Sequence, residues 1–279
     1  MPLDSFGISI SNKTSPSIDL KFQHHSADES KNYLNHQTNT SKDYGYYYVE
    51  NIALFEVFNG KKIVINYFNT IDDDLIHSLL NFPFAILFNQ RNKYVIHASS
   101  VLFNEKVFCF CGKSQSGKSS LASYLIKMGG SLISEDTCVF EYKDDNLLLL
   151  PSYNFLKISD EVNNYKNISF KDPVIFLKKA TDRKGYILDK QRFLSEPIKV
   201  SYFIYLQWSQ EHSNIEQLNN ERSLEMLLSN EFISYNKENA PLRFRAASSL
   251  VSNSKHFLYS REKELYTLDN FVNIFLKDF

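Results

Sequence analysis

The stretch CGKSQSGKSS, residues 111–120, sets two glycines and a Lys-Ser pair at the spacing G-x-x-x-x-G-K-[ST]. That spacing binds phosphate for physical reasons. Backbone N–H groups of a tight turn and the N-terminus of the following helix point at phosphate oxygens, the lysine reaches the outer phosphates, and the hydroxyl ligates Mg²⁺. The candidate nucleotide-binding residues are therefore Gly112, Lys113, Ser114, Gln115, Ser116, Gly117, Lys118, Ser119 and Ser120. Lys118 is also a candidate catalytic residue, and Ser119 a candidate metal ligand. Of eight glycines in the chain, Gly112, Gly117, Gly129 and Gly130 fall in this short region.

Three further features bear on chemistry. Glu135 and Asp136 are adjacent at the end of the apolar segment SLIS; one carboxylate there can hold Mg²⁺ while its neighbour accepts a proton from an attacking hydroxyl. His97 lies in YVIHASS, on the strand before the loop's own strand. Lys157, Arg183, Lys184 and Arg192 are scattered after the acids, and transfer of a dianionic group needs at least one cation beyond the loop lysine. Protein-kinase signatures, a nucleophile elbow and zinc spacings of Cys or His are absent. Cys109, Cys111 and Cys138 read as buried free thiols.

These residues need elements to position them. KVFCFC reads as a strand running into Gly112, and KSSLASYLIKM as the next helix, with Leu121, Leu125 and Met128 at helical spacing and Gly129-Gly130 as its C-cap. YVIHASSVLF reads as one strand joined to KVFCFC at Asn104-Glu105-Lys106. SLIS and TCVFEY read as strands on either side of the acids, and VSYFIYLQW as a strongly apolar one. ERSLEMLLSNEF and LDNFVNIFL read as helices. Nearer the N-terminus, YYYVENIALFEVFNGKKIVINYF reads as two strands joined at Asn59-Gly60. DDDLIHSLLNFPFAILFNQ reads as a helix with acids in its first turn and a bend or break at Pro83. Residues 1–46 are polar and patchy. The expected class is α/β, with a β-rich domain over 1–92 and a nucleotide-binding domain over 93–279.

The 279 residues are 43% apolar and carry a net charge of −1, so no global field recruits nucleic acid or an anionic membrane. No apolar run is long enough to span a bilayer, and the first residues lack a signal-peptide pattern, so a cytoplasmic location is expected.

The segment HASSVLFNEKVFCFCGKSQSGKSSLASYLIKMGGSLISEDTCVFE resembles the catalytic core of HPr kinase/phosphorylase. It has a histidine strand, the phosphate loop, a helix closing on glycine, and a short strand ending in two acids. FGISISN, PSYNFLKISD and RFLSEPIKVSYFIYL add a likeness to the HPr-kinase-related proteins of lasso-peptide and other ribosomal-peptide clusters. The resemblance implies a core related to phosphoenolpyruvate carboxykinase, use of ATP and Mg²⁺, and transfer of the γ-phosphate to a serine hydroxyl. It implies Lys118 on the β- and γ-phosphates, Ser119 and Asp136 on the metal, Glu135 as general base, and His97 tuning that base. Glu135 stands where the family usually has Asp, and the glycine-containing signature that HPr kinase carries after its acids is absent. The expected acceptor is accordingly a serine of a small peptide or protein, such as a ribosomally made peptide precursor, with a homo-oligomer left open. Two alternatives stand beside it, a nucleotide-binding regulatory module without transfer and a kinase of a small hydroxyl metabolite.

Overall fold

The computed structural model describes residues 19–24, 38–68, 79–167, 170, 173, 175–176, 183–232 and 239–275. They fall into two compact units, one within Ile8–Val95 and Phe232–Phe244, the other within Ile96–Glu231 and Arg245–Phe279. The class is mixed α/β, with several sheets and six α-helices among the described residues.

In the first unit, β1 (Asp19–His24), β2 (Thr38–Thr40), β3 (Tyr44–Val49), β4 (Ala53–Phe58) and β5 (Lys62–Tyr67) form one sheet in the order β1-β5-β4-β3-β2. Alternating apolar residues give it a packed face, and Phe55, Val57, Ile63 and Ile65 are fully buried. The segment expected as two strands is three. Asn51 adopts a left-handed conformation (φ 57°) and turns the chain between β3 and β4, a conformation asparagine tolerates better than most residues. Asn59-Gly60 makes the expected turn between β4 and β5, both residues at positive φ. Helix α1 (Asn81–Gln90) packs on β3 and β4, with Phe82 stacked on Tyr47 at 4.6 Å between ring centroids. Pro83 lies in the first turn of α1, where no intrahelical N–H is needed, and the segment expected as one helix is interrupted just before it, by a turn at Leu80 between helical Leu79 and Asn81. The acids expected in a first turn, Asp72 to Asp74, lie outside the described residues, as do FGISISN and most of the polar N-terminal segment.

Along the rest of the chain, the segment expected as one strand is broken at His97 into β6 (Tyr94–Ile96) and β7 (Ala98–Phe103). Then follow β8 (Lys106–Cys111), α2 (Lys118–Lys127), β9 (Ser131–Ser134), β10 (Cys138–Lys143), β11 (Asn146–Leu150), β12 (Phe155–Ser159), α3 (Asp160–Asn164), β13 (Ile175–Phe176) and β14 (Arg183–Ile187). The chain closes with β15 (Tyr202–Trp208), β16 (Asn214–Gln217), α4 (Asn220–Ser229), α5 (Ala240–Asn253), β17 (Lys255–Arg261) and α6 (Tyr266–Phe275).

The central sheet has the order β16-β17-β15-β8-β7-β9. Strands β8, β15 and β17 are mutually parallel, while β7 runs against both β8 and β9. Strand β9 therefore points the same way as β8. Alternate residues of the strands face opposite sides. Phe108, Phe110, Tyr202 and Ile204 join Leu121, Leu125 and Phe271 in one core with α2 and α6. On the other face Phe203 packs against Phe140 (6.3 Å) and stacks on His256 (4.8 Å). Cys109, Cys111 and Cys138 are free and fully buried, as expected. Helix α2 ends at the expected glycines: the Gly129 and Gly130 amides donate to the carbonyls of Ile126 and Leu125.

Candidate functional site

Parallel strands end together, and that places the candidate residues. The carboxyl ends of β8 and β9 and the start of antiparallel β7 share one edge of the central sheet: Ala98 pairs with Cys111, and Ser100 with Ser134. The loop 112–117, the Glu135-Asp136 turn and His97 all emerge there. Such an edge is where open α/β sheets bind ligands.

The loop leaves β8 at Gly112, whose amide donates to the Asn230 side chain at 2.8 Å, and enters α2 through Gly117 at φ 92°. A side chain at 117 is excluded twice, by that left-handed backbone and by the Arg261 guanidinium, which would lie 1.9 Å from a Cβ. Lys118 is buried, and its ammonium donates to the carbonyls of Gly112 (2.8 Å) and Lys113 (3.0 Å). Burial pulls its pKa down, against the opposing pull of Asp136. Ser116 and Ser119 are also buried; Lys113, Ser114 and Gln115 are exposed.

The acidic turn is tight. Asp136 sits at φ 61°, the Thr137 amide donates to the Glu135 carbonyl (2.7 Å), and the Ser134 hydroxyl to the Thr137 carbonyl. Its two carboxylates have different environments. Glu135 is 1% exposed and neither of its oxygens makes a well-formed hydrogen bond among the described residues. Burial and the neighbouring Asp136 charge push its carboxyl up to about 7; the approaching Ser119 and Ser99 hydroxyls and Lys157 pull the other way and are outweighed. Burial would also raise Asp136, but the Lys157 ammonium at 2.7 Å, with His97 and Lys118, holds it well below the usual carboxylate range. The pair is thus split into a carboxyl that titrates near neutrality and a fixed anion.

His97 Nδ1 lies 2.9 Å from the Asp136 carbonyl. A neutral ring donating Nδ1–H to that carbonyl leaves Nε2 as an acceptor. Burial, then Lys118, lower the His97 pKa, which favours the neutral form. Its backbone amide donates to the Asn230 carbonyl (2.8 Å), so one asparagine fixes both the histidine and Gly112.

Of the four scattered cations, Lys157 on β12 is the one tied to the site, buried against Asp136. Arg183 is close enough to lower the Lys118 pKa. Lys184 pairs instead with Asp160 (2.7 Å), and Arg192 lies 4.0 Å from Asp189 and over the Phe170 ring. Asn230, Trp208 and Arg261 were not legible as site residues. The last two stand opposite each other at the ends of β15 and β17, where they meet the loop. The parallel pairing that brings them there joins segments far apart in sequence.

No family model and no curated protein matches the chain. Among solved structures, the Hpr(Ser) kinase/phosphatase from Coxiella burnetii superposes with a TM-score of 0.35 and 11% sequence identity, over 66% of this chain and 97% of that one. So loose a likeness adds nothing to the reading of the site, which rests on its own geometry.

A hydroxyl (Ser119) and carboxylate oxygens (Glu135, Asp136) are donors that suit a hard divalent cation such as Mg²⁺. Among the described residues no group of three or more His, Cys, Asp or Glu side chains could hold a metal by itself. The donor set therefore fits an ion held by one or two protein groups together with phosphate oxygens. Among the described residues no helix is long and apolar enough to cross a membrane.

Proposed function

We propose that this chain is an ATP- and Mg²⁺-dependent kinase that transfers the γ-phosphoryl group to a hydroxyl, with a serine of a small peptide or protein as the acceptor. One observation carries the reading: the phosphate-loop sequence lies at the same sheet edge as a buried, unpaired carboxyl titrating near neutrality beside a fixed carboxylate.

The roles follow from the environments. The loop amides and the N-terminus of α2 hold the phosphate chain, and Lys118 swings from the Gly112 and Lys113 carbonyls onto the outer phosphates. Ser119 and Asp136 would hold Mg²⁺, and Asp136 remains the anion such a ligand must be. Bound there, the ion would neutralise charge on the β- and γ-phosphates. Glu135 takes the acceptor's proton as its oxygen bonds to the γ-phosphorus and the bond from that phosphorus to the β–γ bridging oxygen breaks, releasing ADP. A pKa near the working pH suits a general base. His97 holds the turn through the Asp136 carbonyl, and Lys157 holds the Asp136 carboxylate. The serine acceptor is supported by the sequence resemblance; peptide selection by residues 1–92 is proposed from their position and their separate β-rich sequence.

The test is mass spectrometry of a Ser-containing peptide panel and small hydroxyl compounds, incubated with protein, ATP and Mg²⁺. One added phosphate on a serine, reduced at least about a hundredfold in Lys118→Ala, is the expected result. Wild-type turnover in that variant would overturn the proposal. Nucleotide binding with no acceptor modified would favour a regulatory module, and labelling of small compounds alone a metabolite kinase.

A further inference from the structure

Arg261 closes β17, and its guanidinium is buried, with the residue 3% exposed. It stands over the ring of Trp208, the chain's single tryptophan, at 4.4 Å. Nη1 donates to the Thr267 hydroxyl (2.6 Å), Nη2 reaches the Ser116 carbonyl (3.4 Å), and Nε has no partner among the described residues. The Trp208 indole N–H donates to the next carbonyl back, that of Gln115 (3.2 Å). No carboxylate pairs with Arg261 among the described residues; the nearby Glu262 carboxylate accepts from Tyr266 instead.

Two donors thus hold two successive carbonyls of the phosphate loop. Peptide planarity does the rest: with the Ser116 carbonyl turned to Arg261, the Gly117 N–H must point the opposite way. The cation also orients that peptide's dipole, negative end inward and N–H outward. A buried cation without a counter-ion is costly, and a polyphosphate on the far side of a single peptide unit would offset that cost.

We propose that Arg261, seated on Trp208, is a positioning residue that presets the Gly117 amide for polyphosphate and so sets nucleotide affinity. The proposal rests on the nucleotide-binding reading of the loop. It concerns the chain of phosphates, not the base.

The test uses the full chain and two probes, Mg-ATP and Mg-tripolyphosphate. Binding is read by calorimetry and by the emission of Trp208, and ligand-free melting is measured alongside. Arg261→Met is expected to weaken both probes about tenfold or more after correction for the folded fraction. Arg261→Lys should recover part of the loss. Thr267→Val, which frees Nη1, should show a smaller loss in the same direction, and with Arg261→Lys it carries the test if the methionine variant does not fold. Wild-type affinity in the Arg261 variants would overturn the inference and leave the loop reading intact. So would a loss for ATP with none for tripolyphosphate, which would mean that the pair reads the nucleoside. If the wild-type chain bound neither probe, the loop reading itself would fall, and the inference with it.

Discussion

At Glu135 burial and a neighbouring charge decide what the group can do. Its carboxyl moves from an ordinary 4.5 up to about 7, because water is excluded and Asp136 is charged beside it. A pKa higher in the folded chain than in the unfolded one means the folded state holds the proton more tightly. The stability this contributes is complete below about 4.5 and is lost as pH rises through about 7. Ligand-free Glu135→Gln should therefore resist urea better than wild type at pH 8, by ~2–3 kcal/mol, with the difference vanishing near pH 4.5. The same ionisation should appear in catalysis as a transfer rate that rises through pH about 7 and is cut about 10²–10⁴-fold in the glutamine variant. A pH-independent stability difference would mean that the Glu135 carboxyl does not titrate where its burial places it. The loop and the acidic pair were readable as sequence because each is a local string. Their unequal protonation was not, since it depends on Lys157, 21 residues further on.

At the scale of elements, the unit β8–loop–α2–β9 is specified almost entirely by local text: alternating apolar residues, a glycine-framed turn, an amphipathic helix and a glycine stop. Gly130, outside the loop itself, also tolerates little. A Cβ there would meet the Leu102 carbonyl at 2.9 Å and the Leu125 carbonyl at 3.0 Å, both backbone atoms with little room to yield. Gly130→Ala is expected to destabilise the protein by ~1–3 kcal/mol in urea unfolding, with transfer kinetics of the folded fraction unchanged. An unaltered midpoint would show that α2 can shift on the sheet. The elements misread from sequence share a cause. The breaks at Glu50–Ile52 and at His97 are short interruptions inside runs of good strand formers, and β17, not foreseen at all, is held by pairing to β15, an element some fifty residues away. Non-local pairing leaves no short-range signature.

For the molecule as a whole, the division into units does not follow a single cut in the chain. Phe232–Phe244 belongs with Ile8–Val95, and within that unit Phe232 packs edge-on against Phe82 (4.8 Å) while the Asn239 amide donates to the Asn89 carbonyl (3.0 Å). A chain shortened to residues 93–279 therefore lacks Phe82 and Asn89, and with them these two contacts. It is expected to melt lower than the intact chain and to bind more of a hydrophobic dye; equal melting and dye binding would show that the segment contributes nothing to the fold. A different consequence follows from the three thiols sealed in and beside the central sheet, with Cys109 and Cys138 sulfurs 3.9 Å apart and no solvent access to either. Nothing in the intact sheet lets a reagent reach them. Alkylation of Cys109 thus becomes a clock of how often the strand leading into residues 112–117 comes loose, and a nucleotide bound as proposed is expected to slow that clock by the factor with which it holds the strand shut.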